Sequence, residues 1–148
     1  MKRWLLSFLG IVLLAALLVG CGKASGGGIP EDAALKITGM VENEVGWTED
    51  QVKAMDTMEV ESTNSKGETD KYTGVPIQAL LDLAKPKPDA QTVIYVADDG
   101  LTAEVPLSDV LGCMDAIVSF RSKGGFRIVM PGFPGNVQVK GVVDIQIK

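Results

Sequence analysis

The residues with the clearest chemistry lie near the C-terminal end. Arg127 carries a planar guanidinium that pairs bidentately with phosphate or carboxylate, and Lys140 and Lys123 add point charges. The glycines of Lys123-Gly124-Gly125 would let backbone amides approach an anion. From Arg121 onward there are five basic residues and one acid, Asp144, a net charge of +4. Residues 21–120 hold seven basic and eighteen acidic residues, a net −11. This segregation fits an anion-binding face, or internal pairing of Arg127 and Lys140 with acids such as Asp144 or Glu104.

Composition removes other chemistries. The chain of 148 residues has no His, which excludes Ser-His-Asp and Cys-His machinery and the commonest metal ligand. A zinc site would have to be built from carboxylates and Cys113, so neither a catalytic nor a metal-binding set is assigned. The formal net charge of −5 argues against nucleic acid as a partner. Asp98-Asp99-Gly100 reads as a hairpin turn rather than a cation site. Of the two cysteines, Cys113 sits among apolar neighbours and reads as an inert, part-buried thiol.

The other cysteine, Cys21, ends a different pattern. Lys2 and Arg3 precede an apolar run from Leu5 to Val19, followed by Gly20 and Cys21. The run is about 15 residues, roughly 22 Å as a helix, short of the about 30 Å of a bilayer core. It reads as a lipoprotein signal, residues 1–20, with Cys21 acylated, for instance with palmitate. Residues 21–33 then form the lipidated start and a Gly-rich tether, and residues 34–148 one domain. The expected location is the extracytoplasmic face of a membrane, held by lipid rather than by a basic surface.

The elements that must position these residues follow from periodicity. Leu35–Gly39, Met58–Ser62, Thr92–Val96, Leu101–Val105, Ala116–Phe120, Phe126–Met130 and Val137–Ile147 read as strands, most of them by alternation. Thr48-Glu49-Asp50-Gln51 has the spacing of a capping box and predicts a short helix through Met55. Trp47, just before it, reads as a staple into the core. A helix is expected from Val75-Pro76 to the Lys85-Pro86-Lys87-Pro88 stop, and another over Pro106–Leu111. The order predicts an α+β fold with a mixed, mainly antiparallel sheet and a few short helices. Phe133, in Pro131-Gly132-Phe133-Pro134-Gly135, is a ring on a loop that is hard to bury and is a candidate partner contact.

Five segments, in order, resemble the oxidoreductase molybdopterin-binding domain of sulfite oxidases and related bacterial enzymes. They are Ile37–Val41, Tyr72-Thr73-Gly74-Val75-Pro76-Ile77-Gln78-Ala79-Leu80-Leu81, Ala97-Asp98-Asp99-Gly100, Gly125–Pro131 and Val139–Ile145. The second is the most specific, similar to the family's "(W/Y)-x-G-V-P-L-x-x-L-L" segment. The resemblance implies that family's fold over about residues 35–148, with Arg127 and Lys140 near its anion-binding edge. It also implies a Cys thiolate for the metal on the loop before "G-V-P-L". Here Val60-Glu61-Ser62-Thr63-Asn64-Ser65 holds no Cys. Aligning Asn64 with the family's Asn puts Glu61 in the Cys place; Ser62 and Asn64 are the candidate pocket residues of the loop. Carboxylate and hydroxyl ligands are harder than sulfur and would not reproduce that site. The family's long insertions around its pterin are also missing.

The resulting expectation is a non-catalytic module without a cofactor, binding an anionic small molecule or a membrane protein partner. The alternatives are a molybdopterin-dependent oxidoreductase subunit and an accessory protein of a membrane redox or transport complex.

Overall fold

The computed structural model describes residues 28–148. The expected signal segment, Cys21 and most of the expected tether lie outside the described residues. No helix among the described residues is long and apolar enough to cross a membrane.

Nine strands form one sheet: β1 (Leu35–Gly39), β2 (Val45–Trp47), β3 (Met58–Thr63), β4 (Thr69–Pro76), β5 (Thr92–Ala97), β6 (Thr102–Pro106), β7 (Ile117–Phe120), β8 (Phe126–Val129) and β9 (Lys140–Ile147). The helices are α1 (Glu49–Lys53), α2 (Ile77–Ala84) and α3 (Leu107–Gly112), with a 3-10 turn at Gly135–Val137. The main path runs β2-β1-β9-β8-β7-β4-β3, and the β5–β6 hairpin joins through β9. Among the named strands of the described residues, β1 and β9 pair in parallel and the other pairings are antiparallel. The α+β class expected from sequence is the fold observed.

Alternation explains the layers. In β5, Val93, Tyr95 and Ala97 are buried while Thr92, Ile94 and Val96 are half-buried. α2 buries Ile77, Leu80, Leu81 and Ala84, the i, i+3, i+4, i+7 stripe of an amphipathic helix. It stops because Lys85 takes a left-handed φ of 56°, unfavourable for a side chain with a Cβ, and Pro86 cannot continue the helix. The Tyr95 ring is fully buried in the main core, and burial pushes its hydroxyl far above the usual phenol range. The hydroxyl donates to Met130 Sδ at 3.4 Å.

The capping box is present at α1: Gln51 N donates to Thr48 Oγ1 at 3.3 Å, and Thr48 N donates to Gln51 Oε1 at 2.9 Å. Trp47 packs partly buried against the core.

Strands β2 and β4 were not expected from sequence, α1 ends at Lys53 rather than Met55, and two further boundaries differ. The helix expected from Val75 starts at Ile77, because Tyr72–Pro76 is the end of β4. Pro76 lacks an N–H and sits on the last rung, opposite Ile117. Gly74 meets β7 so closely that a Cβ there would strike the Val118 carbonyl and lie 2.6 Å from Ser119 Cα. The final strand begins at Lys140 rather than Val137, since Val137 closes the 3-10 turn.

Candidate anion-binding site

Strand register assembles the site. Gly74 on β4 opposes Ser119 on β7, Ser119 opposes Arg127 on β8, and Arg127 opposes Lys140 on β9. Directly opposed residues share a sheet face, so these four form one row. Its two small members leave the face bare. Arg127 reaches over them to Tyr72, which lies two residues before Gly74 and therefore on the same face.

The guanidinium carbon of Arg127 is 4.9 Å from the centre of the Tyr72 ring. Arg127 Nη1 donates to the Tyr72 hydroxyl at 3.2 Å. Such stacking contributes about 0.5–1 kcal/mol at an accessible site. The Tyr72 ring also packs on a small apolar cluster of Val60, Ile117 and Val129. Those residues share the face by parity and stiffen the ring's position. Ser119 Oγ donates to the Thr73 carbonyl at 3.0 Å, so its hydroxyl is committed to the sheet.

Two cavities flank the Arg127–Tyr72 pair. The larger, about 400 Å³, is lined by Arg121, Ser122, Lys123, Arg127 and Lys140 together with Tyr72, Ser119 and Phe120. The smaller, about 260 Å³, is bordered by Ser62, Asn64, Phe133 and Gln138, again with Tyr72 and Arg127. The first is lined by four cations, while in the second Arg127 is the one charged residue of an otherwise neutral, largely polar lining.

No acid neutralises the cationic wall among the described residues. The cations found in ion pairs are Lys36, Lys53, Lys71 and Lys85, all before Arg121. Residues 1–27 contain no Asp or Glu. Internal pairing, one of the two expectations, is therefore not what Arg127 and Lys140 do. Asp144 is engaged elsewhere: Thr38 Oγ1 donates to it at 3.0 Å, Gln146 Nε2 at 3.0 Å, and Lys36 Nζ lies 3.8 Å away. Glu104 is exposed on β6. Within the site, Arg127 Nε is buried and has no hydrogen-bond partner, an arrangement that costs free energy in a native fold.

The remaining sequence candidates fall as follows. Lys123 lines the larger cavity, but the amide of Gly125 already donates to Glu49 Oε2 at 3.4 Å, and that of Gly124 to the Arg121 carbonyl at 3.0 Å. Those amides are not free for a ligand. Ser62 is buried and borders the smaller cavity. Glu61, suggested by one alignment for the same place, is exposed on the opposite face of β3, 3.7 Å from Lys71. Asn64 touches the cavity, yet its carboxamide closes the β3–β4 turn: Oδ1 accepts from Lys66 and Glu68, and Nδ2 donates to Glu68. Phe133 is half-buried against the core and borders both the smaller cavity and a third one of about 560 Å³, beside Cys113. Burial pushes the Cys113 thiol up. Tyr72 and Arg121 were not singled out from sequence. Tyr72 stood inside the most specific segment, where a ring two residues before Gly was its only signal.

With this geometry in view, the chain matches, over residues 26–148, the sequence model of the family described as the oxidoreductase molybdopterin binding domain. The chain belongs to that family. The fold also matches the sulfane dehydrogenase SoxCD of Paracoccus pantotrophus, with a TM-score of 0.66 and 20% sequence identity. The match covers 76% of this chain and 37% of that one, so the domain spans little over a third of that chain's length. No curated protein matches the sequence.

The family implies molybdopterin, and the residues present can be tested against it. The resemblance implies that this family's metal is held by a Cys thiolate, a softer ligand than carboxylate or hydroxyl. The two cavities beside Arg127 offer hydroxyls, carboxamides, cations and a phenol, with no thiol. Cys113 opens onto the third cavity instead. No cluster of three or more His, Cys, Asp or Glu among the described residues is placed to hold a metal. Neither cavity offers the thiolate that the resemblance implies for the metal, and the cationic wall of the larger one fits an anionic group.

Proposed function

We propose that the protein is a lipid-anchored extracytoplasmic binding module of the molybdopterin-domain fold that takes up an anionic small molecule without catalysing its conversion. The observation that carries this reading is the cluster of Arg121, Lys123, Arg127 and Lys140 around one cavity, with no acid pairing them among the described residues. Arg127 supplies directional hydrogen bonds, and Lys140 and Lys123 supply charge. Tyr72 holds the guanidinium in place.

The absence of a thiol from Val60–Ser65 supports a non-catalytic role, because the resemblance implies the metal-binding Cys in that segment and only harder oxygen donors stand there. The membrane half of the reading rests on the basic start, the apolar run and Cys21.

Protein purified from its native membranes tests both halves. Mass spectrometry under non-denaturing conditions is expected to find Cys21 acylated, and metal analysis to find no stoichiometric molybdenum. One molybdenum per chain would overturn the non-catalytic reading in favour of an oxidoreductase subunit.

A further inference from the structure

The outer wall of the cationic cavity, Arg121 to Lys123, belongs to the loop between β7 and β8. Arg121 N donates to the Gly125 carbonyl at 3.1 Å, and Gly124 N to the Arg121 carbonyl at 3.0 Å. Gly124 and Gly125 both hold positive φ, 86° and 73°. Two adjacent glycines cost a loop much conformational entropy when it is fixed. A further tie comes from far away in sequence: Gly125 N donates to Glu49 Oε2 at 3.4 Å.

Glu49 is itself well placed to hold. It is the first residue of α1, and the Thr48–Gln51 capping box fixes that end of the helix. Its other oxygen, Oε1, lies 2.7 Å from Lys53 Nζ one turn on. The hydrogen bond from Lys53, then that from Gly125, holds the Glu49 carboxyl below the usual carboxylate range, so it is ionised at neutral pH.

We propose that Glu49 is a positioning residue for the anion site: its carboxylate, clamped by Lys53, fastens the Arg121–Gly125 loop so that Arg121 and Lys123 stay on the cavity wall. This rests on reading that cavity as an anion site. An acid near such a site has two opposed effects. Its charge repels the ligand, while its hydrogen bond orders the wall. Lys53, 2.7 Å away, offsets part of that charge, and solvent screens the repulsion at this accessible position. The ordering effect therefore wins.

The opposition makes the idea testable with the full chain. Glu49→Gln keeps an oxygen able to accept from Gly125 and removes the charge; Glu49→Ala removes both. Two quantities are measured: calorimetric affinity for inorganic phosphate, and amide hydrogen exchange over residues 122–125. In Glu49→Ala, exchange should speed up and phosphate affinity should fall by about 2- to 5-fold, the loss of one modest hydrogen bond. Glu49→Gln should stay within about twofold of wild type on both readings. Unchanged loop exchange in Glu49→Ala overturns the proposal. So does tighter phosphate binding in both variants, since Glu49 would then act as a charge and not as a tie. If wild type takes up no phosphate, the anion-site reading falls, and the exchange comparison still decides whether Glu49 fastens the loop.

Discussion

Replacing Arg127 with Met should nearly abolish anion binding while leaving the fold about as stable as before. In the free protein, Arg127 gains its hydrogen bond to Tyr72 at 3.2 Å, which contributes about 0.5–1.5 kcal/mol. Stacking on the ring at 4.9 Å adds about 0.5–1 kcal/mol. Against these stands the buried, unpartnered Nε, which costs about 1–3 kcal/mol. Lys140, directly opposite with like charge, costs a few tenths more, toward the low end of about 0.2–1 kcal/mol for a cross-strand pair. The terms cancel to within about 1 kcal/mol. Met is unbranched and polarizable and can follow the same path over Ser119. Arg127→Met is therefore expected to shift the urea unfolding free energy by less than about 1 kcal/mol in either direction. Phosphate affinity, measured by calorimetry, should drop about 10- to 100-fold, because a hydrogen bond to a charged group contributes about 1.5–3 kcal/mol. A variant that unfolds more than about 2 kcal/mol earlier with affinity intact would refute the reasoning and make Arg127 a structural strut.

Four further outcomes follow from the geometry. Tyr72→Leu keeps an apolar side chain over Val60, Ile117 and Val129 but loses the platform for Arg127; it should weaken phosphate binding about 3- to 10-fold in the same calorimetric titration. Gly74→Ala must push a Cβ into the backbone of β7, and thermal denaturation should show a loss of at least about 1–3 kcal/mol. Alkylation of Cys113 should have its pH midpoint above the about 8.5 of a free thiol, because burial favours the neutral form; a midpoint at or below that value contradicts the burial seen here. Cys21→Ala should abolish incorporation of labelled fatty acid into the protein, and label retained in the variant would remove the Cys21 anchor from the proposal.

How much of this could be read beforehand depended on range. β5 and β6 follow from local alternation around Asp98-Asp99-Gly100, and α1 from the Thr48–Gln51 spacing, because both signals sit within a few residues. β4 was hidden. Its inner end, Thr73-Gly74-Val75-Pro76, carries a glycine and a proline that ordinarily argue against a strand. Here Gly74 permits close approach to β7, and Pro76 takes the terminal rung, where one missing donor matters little. β2 is only three residues long, too short for any period to show.

The site divides the same way. Arg127, Lys140 and Lys123 were visible as charges, and the family resemblance placed two of them at one edge. That Tyr72 holds Arg127 was not visible, because the pair is 55 residues apart and meets only through the β4-β7-β8 order. The Lys123-Gly124-Gly125 amides looked available for the same reason: the carboxylate that takes one of them is 76 residues upstream.

The strongest argument for a ligand at this cavity comes from how the chain treats its other charges. Lys36 leans on Asp144, Lys53 on Glu49, Lys71 on Glu59 and Glu61, and Lys85 on Glu42, while Lys66, Lys87 and Lys148 are exposed and outside any ion pair. The chain is rich in acids, nineteen against fourteen basic residues, so partners for four more cations would be easy to supply. Instead Arg121, Lys123, Arg127 and Lys140 gather around one cavity, where mutual repulsion opposes folding. The acid that does approach, Glu49, is occupied by Lys53 and binds backbone rather than a cation of the wall. Folding alone gives no reason for that arrangement. An anion in the cavity would relieve the repulsion and stabilise the fold in proportion to its binding. The melting temperature of the wild-type chain should therefore rise with phosphate concentration and fall back when Arg127 is replaced by Met. A melting temperature indifferent to phosphate in the wild type would leave the clustered charge without this explanation.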